Sequence, residues 1–168
     1  MKKIIIAIIF TLLITTVSAK SFVDEVTKIT GTKPEININL GTGIIRTILA
    51  LSGDEDAREV RKIMKGLDKI RISVFEFDDN KNHAKLHKAL TSKIKKLKSR
   101  GYESIVTFKD KDETVHIMAK VKDQFLNDAM IVVLEADEMV IISMDGLLDF
   151  KQLVQISDHF NVELADVL

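Results

Sequence analysis

The first third of the chain alternates between helical and extended hydrophobic patterns. Apolar residues recur at helical spacing in residues 21–30, whereas residues 35–40 place Ile36, Ile38 and Leu40 alternately with asparagines. The pattern then predicts an apolar helix at residues 44–51 and a helix with one apolar and one basic side at residues 54–67. Residues 69–77 alternate again, so this part predicts helix, strand, two helices and strand.

The longest predicted helix covers residues 80–100. The Asp78-Asp79-Asn80 run offers an N-cap, and Gly101 occupies the position after a helix that favours glycine. Four apolar residues at helical spacing form its expected buried stripe: Leu86, Leu90, Ile94 and Leu97. This helix separates the early strand patterns from a strand-rich C-terminal part.

Four strand-like runs follow in quick succession, and short polar connections separate them. They cover residues 102–109, 114–121, 128–135 and 139–144, and a last helix is predicted at 148–160. Short connections favour an antiparallel meander. We therefore predict an α+β fold, a mostly antiparallel sheet with a C-terminal four-strand meander and helices packed on it. A single domain at residues 20–168 is expected, with a two-lobed arrangement as the alternative.

The N-terminus has the pattern of a cleavable signal peptide over residues 1–19. Lys2 and Lys3 precede an apolar run, and Val17 and Ala19 are small residues before the expected cut. An uncleaved anchor or a buried helix is the alternative. We expect export to the periplasm or cell exterior, with no transmembrane segment in the mature chain. The chain has no cysteine, so disulfides, thiolate ligands and a lipid-modified cysteine are excluded.

The strongest charge feature is the basic side of the long helix. Eight cations lie there: Lys81, Lys85, Lys88, Lys93, Lys95, Lys96, Lys98 and Arg100. They leave 15 basic against 25 acidic residues elsewhere in the expected mature chain. Such a helix attracts an anionic surface or an acidic protein patch. The alternative is a solvated outer face, and the balanced total charge gives no reason to expect nucleic acid.

Other candidate constellations are better explained by structure. His83 and His87 share a helix side as in zinc sites, but a third ligand is not apparent. The Gly41-Thr42-Gly43 turn lacks the pattern of a phosphate-binding loop. Four methionines, spread over the strands, suit core packing better than copper binding: Met118, Met130, Met139 and Met144. Because catalytic motifs are also missing, we expect no enzyme and no cofactor.

Several segments resemble the bacterial exported domain-of-unknown-function family numbered 4252. The similarity lies in the apolar helix pair at residues 43–67, the strand Ile70-Arg71-Ile72-Ser73-Val74-Phe75, and the long helix ending in Gly101-Tyr102-Glu103. It continues at Val115-His116-Ile117-Met118 and in the stretch Val140 to Gly146 with Leu148-Asp149. The resemblance implies an exported protein in an envelope-stress signalling setting, without catalytic residues to transfer. This chain departs from lipid-anchored relatives in lacking the signal-boundary cysteine.

Together these observations predict a non-catalytic binding or interaction domain of the cell envelope. Its expected partner is an envelope protein or an anionic surface that contacts the basic helix. The alternative is a small-ligand carrier, in which apolar strands line a pocket against Ile131, Val133 and Ile141.

Overall fold

The structure, a computed structural model, describes residues 19–51, 66–77, 82–110, 113–123 and 125–149. Residues 1–18, 52–65 and 150–168 lie outside this part. Nearly all of the predicted signal peptide, most of the helix predicted at 54–67 and most of the predicted last helix are therefore not described. The elements in chain order are α1 (Ala19–Thr30), β1 (Ile36–Gly41), α2 (Thr42–Leu51), β2 (Leu67–Glu76), α3 (His83–Lys98), β3 (Glu103–Lys109), β4 (Thr114–Lys122), β5 (Phe125–Leu134) and β6 (Glu138–Asp149).

The six described strands form one antiparallel sheet in the order β1-β2-β6-β5-β4-β3. Strands β3 to β6 follow one another as the predicted meander. Its last strand, β6, then pairs with β2, so strands from both sides of α3 share the sheet. The structure therefore confirms the α+β class and the C-terminal meander.

Helices α1 and α3 cover one side of the sheet, which we name the helix face. Phe22 and Val26 of α1 and Leu86 and Leu90 of α3 are almost fully buried there. They pack in one cluster with side chains from four strands: Phe75, Met118, Met130, Val132, Leu134, Met139 and Ile141. The amphipathic stripes of the two helices thus determine where they sit.

The other side of the sheet, named the second face, is apolar on every strand. Ile45 of α2 and Leu67 are buried against it, together with Val115, Ile117, Ala129 and Met144 of β4 to β6. Strand β5 lies between β4 and β6, and its apolar residues pack on both sides of the sheet, each side in a different cluster.

The sequence analysis places the start of the last helix too early in the chain. Strand β6 continues to Asp149, and Leu148 is fully buried in the second-face cluster. Leu67, placed by the sequence at the end of a helix, is instead the first residue of β2. In both places apolar spacing suited a helix. Leu67 instead pairs with β6, and Leu148 and Asp149 pair with β5.

Two smaller boundaries also differ from the sequence prediction. Helix α3 begins at His83, three residues later than expected, and Asn82 before it makes no side-chain capping hydrogen bond. No separate turn precedes α2, because Gly41 ends β1 and the helix begins at Thr42. The Thr42 hydroxyl donates to the backbone carbonyl of Asp68, 2.8 Å away, and so joins this corner to β2.

Candidate functional site: the basic face of helix α3

The C-terminal end of α3 carries several positive charges and is capped by backbone hydrogen bonds. The amide of Gly101 donates to the carbonyl of Lys98, and the amide of Tyr102 donates to that of Leu97. With Gly101 at φ 82°, this is the hydrogen-bond pattern of a Schellman motif. Lys95, Lys96 and Lys98 occupy the last turn, where cations complement the negative end of the helix dipole.

Six of the eight predicted basic residues are exposed, and we name them the basic face: Lys85, Lys88, Lys95, Lys96, Lys98 and Arg100. Residues 80–102 contain no Asp or Glu, so α3 itself carries no carboxylate. Lys81 lies outside the described residues. Most of the predicted cations are therefore accessible to solvent along α3 and just after it.

Lys93 does not belong to the basic face, and its assignment from sequence is wrong. Its side chain is 5% exposed, and its Nζ lies 5.6 Å from the centre of the Phe22 ring. Burial, followed by the positive charges of Arg100 and Lys96, lowers the pKa of Lys93 to about 8. The sequence assignment of Lys93 is wrong because of a tertiary contact: α1 covers this part of α3.

The sequence did not reveal a polar network on the helix face of the sheet. The Arg71 guanidinium donates to both carboxylate oxygens of Asp145, at 3.0 and 2.8 Å, and its Nε donates to the Ser143 hydroxyl at 3.0 Å. The available signal was strand alternation, which places Arg71 on the same side as Ser73 and Phe75. The ion pair therefore links β2 to β6.

A second ion pair lies on β4 and β5, where the ladder is irregular. Asp128 has φ 55° and lies in the register shift between Asn127 and Ala129. This bulge brings its carboxylate within 2.9 Å of the Lys120 ammonium, and that hydrogen bond raises the pKa of Lys120. The same ammonium lies 5.0 Å from the centre of the Tyr102 ring, and burial raises the pKa of Tyr102.

An acidic cluster occupies the end of the sheet where β1 and β6 begin and β2 ends. Glu76 and Glu138 are paired across β2 and β6. The negative charge of Glu35 raises the pKa of Glu76, and burial, followed by Glu135 and Asp137, raises that of Glu138. Like charges therefore face one another at this end of the molecule.

His83 and His87 are half-buried on α3, and His116 is half-buried on β4. The rings of His83 and His87 are 6.0 Å apart between centroids, and His87 Nε2 is 3.4 Å from the Thr114 hydroxyl. Burial lowers the pKa of His116, and its Nδ1 is 3.3 Å from the Thr107 hydroxyl. In the described part of the chain, no three His, Asp or Glu side chains are grouped as metal ligands would be.

The strand methionines are all buried in the core. Contrary to the prediction that they are spread, Met118 and Met130 are directly opposite one another on β4 and β5. The Ser104 hydroxyl donates to the Met118 sulfur at 3.2 Å. Each methionine packs in an apolar cluster, which is the gap-filling use expected of this residue.

The register of β5 and β6 separates the three residues named for the pocket of a small-ligand carrier. Ile141 is paired with Val132 and lies in the helix-face cluster. Ile131 and Val133 flank Val132, so their side chains point to the second face. These three residues are on opposite sides of the sheet and cannot line one pocket.

Comparisons with known proteins agree with the resemblance noted from sequence. Among the described residues, no helix combines the length and apolar character needed to cross a bilayer. Searches of curated proteins and of solved structures each found no match. A family model described as "Domain of unknown function (DUF4252)" matches residues 30–156. Since this match covers well over half of the chain, the protein belongs to that domain-of-unknown-function family.

Proposed function

We propose that this protein is an exported, non-catalytic binding domain whose basic face docks on anionic lipid headgroups of the cell envelope. The observation that carries the proposal is the exposure of six cations along and just after one helix, in a stretch without acidic residues. An acidic protein patch is the competing partner, and the experiment below separates the two.

Electrostatic attraction suffices for reversible docking of such a helix. A Lys or Arg close to an anionic bilayer contributes about 1 kcal/mol, and the attraction decays over a Debye length of roughly 8 Å at physiological salt. The apolar stripe of α3 is occupied by the sheet, because Leu86, Leu90 and Leu97 are buried. The helix would therefore lie on the headgroups without inserting, and binding would weaken with salt.

The sequence supports the location in the envelope. Residues 1–19 carry the charged, apolar and small-residue regions of a signal peptide, and a domain released after cleavage would meet anionic membrane surfaces. Docking through surface charge does not require the lipid-modified cysteine that this chain lacks. An envelope-stress signalling role, implied by the family resemblance, would then be exerted from the membrane surface.

Vesicle co-sedimentation tests this function with a charge-reversed variant. The triple change Lys88→Glu, Lys95→Glu and Lys96→Glu should reduce binding to phosphatidylglycerol vesicles at least about tenfold. A matched control reverses three exposed lysines elsewhere, Lys28→Glu, Lys109→Glu and Lys122→Glu, with the same change in net charge.

The control variant should keep most of the binding to phosphatidylglycerol vesicles. Neutral phosphatidylcholine vesicles should bind none of the three proteins, the wild type included. Equal losses in both triple variants would show that only net charge matters and would contradict the proposal. Binding of the wild type to an acidic envelope protein, without vesicle binding, would favour the competing partner.

A further inference from the structure

Strand β1 is an edge of the described sheet without the usual protection against pairing. It pairs with β2 on one side, in a six-residue register without interruption. Its sequence, Ile-Asn-Ile-Asn-Leu-Gly, contains no charge and no proline. Natural sheets block such edges with charged residues, bulges or short strands, because an open edge recruits another strand.

The opposite edge, β3, has two of these protective features. A register shift between Ser104 and Val106 interrupts its pairing with β4, and Glu103 and Lys109 place charges at its two ends. The two edge strands of the sheet thus differ in their protection against pairing with another strand. The contrast singles out β1 as the edge available for pairing.

Exposed apolar side chains follow the second face of β1. Ile36 is 45% and Ile38 is 40% exposed, although both belong to a face that is otherwise apolar and packed. On the other side, Asn37 and Asn39 are also exposed. A paired strand would cover the isoleucines and offer hydrogen bonds to both asparagine amides.

The pattern of β1 fits a second copy of itself in antiparallel orientation. With a two-fold axis at Ile38, Ile38 faces its own copy, Ile36 faces Leu40, and Asn37 faces Asn39. Apolar residues meet apolar residues and amides meet amides, and like charges do not come opposite one another. We propose that two chains associate through β1 into a dimer with one continuous sheet across the two-fold axis.

This arrangement places both helix faces on the same side of the joined sheet. A two-fold axis perpendicular to a continuous sheet keeps each face of one copy next to the equivalent face of the other. The two α3 helices, with their basic faces, then lie on the same side of the dimer. The proposal of a dimer does not depend on the proposed lipid docking, but a dimer would make any such docking bivalent.

Sedimentation velocity of the exported protein tests the dimer directly. Because one strand pair buries little surface, we expect a concentration-dependent dimer with a Kd on the order of 10–100 µM. Ile38→Lys puts like charges opposite one another at the axis and should weaken association at least about tenfold. The matched control is Phe108→Lys on β3, since Phe108 is similarly exposed at 48%.

A mixture of variants gives the sharpest test. Ile38→Lys and Ile38→Glu should each be monomeric, yet an equimolar mixture should dimerise, because residue 38 of one copy faces residue 38 of the other. Recovery in the mixture also shows that both variants are folded. A wild type that stays monomeric to about 1 mM, a dimer unaffected by Ile38→Lys, or one lost with Phe108→Lys would overturn the proposal.

Discussion

The Lys93 ammonium lies 5.6 Å from the centre of the Phe22 ring and joins the inner side of α3 to α1. This lysine is among the most buried polar residues in the described part of the chain, at 5% exposed. Burial first, and then the charges of Arg100 and Lys96, lower its pKa to about 8, while Glu25 acts in the opposite direction. The folded protein therefore holds a poorly solvated cation at neutral pH.

This cation makes stability depend on pH in the alkaline range. The pKa of Lys93 is about 8 in the folded protein and 10.5 without the fold, so between these values the unfolded chain binds the additional proton. Stability should therefore rise as pH increases from about 8 to 10.5. Lys93→Met should remove this rise and stabilise the protein at pH 7 by about 1 kcal/mol, after loss of the cation–π contact.

Urea unfolding at pH 7, 8.5 and 10 measures both effects. Lys95→Met, at an exposed neighbouring position of α3, serves as the control and should change stability by less than about 0.5 kcal/mol at each pH. A net destabilisation of Lys93→Met at pH 7 would mean that the charge stabilises the interface between α1 and α3.

The ion pair between Arg71 and Asp145 should contribute to the attachment of β2 to β6. One guanidinium nitrogen of Arg71, Nη2, donates to both carboxylate oxygens of Asp145, and the two side chains are 18% and 42% exposed. These hydrogen bonds are charge-assisted, and solvent screens the pair in part. Arg71→Ala should cost about 1–3 kcal/mol, and a double-mutant cycle with Asp145→Ala should give a coupling of about 1 kcal/mol. Chemical denaturation measures both values, and additive single effects would contradict the coupling.

Local periodicity accounted for much of the fold. Leu86, Leu90 and Leu97 are buried as the helical spacing predicted, and the Gly101 stop is confirmed by its Schellman hydrogen bonds. Short polar connections likewise predicted the meander correctly. These features depend on residues close in sequence, which is why the pattern alone suffices.

The failures occur where residues distant in sequence meet. Lys93 shares its local pattern with the exposed lysines, and only the position of Phe22 distinguishes it. The Arg71–Asp145 pair depends on the register of two strands 74 residues apart at that point. The extension of β6 to Asp149 likewise depends on its pairing with β5, which sequence spacing does not reveal.

Gly146 permits a close backbone approach between β6 and the residues at the start of β2. Its φ is 127°, and a Cβ there would lie 2.4 Å from the Gly66 carbonyl oxygen. Leu147 also donates its amide to that oxygen, so the two segments are held together at 2.8 Å. Gly146→Ala should therefore destabilise the protein by about 2–4 kcal/mol, measured by urea unfolding.

Gly43→Ala is the matched control for that change. Gly43 lies in the first turn of α2, and an added Cβ would meet no atom within 4 Å. Alanine has the higher helix propensity, so this variant should be neutral or stabilised by up to about 1 kcal/mol. If Gly146→Ala were as benign as the control, the close approach would not constrain the fold.

Repulsion in the acidic cluster predicts the opposite pH behaviour from Lys93. The charge of Glu35 raises the pKa of Glu76, so the folded protein favours the protonated carboxyl. Stability from this group is present below its unfolded value of 4.5 and is lost as pH rises through the higher folded value. Glu76→Gln should therefore raise Tm at pH 7 and leave it nearly unchanged at pH 3.

Thermal unfolding at the two pH values, at low and high salt, checks this prediction. Added salt should shrink the gain at pH 7, because the carboxylates are exposed and screening weakens their repulsion. Glu103→Gln, at an exposed position of β3 away from the cluster, is the control. An equal gain in the control, or a gain that persists at pH 3, would locate the effect outside the contact between Glu35 and Glu76.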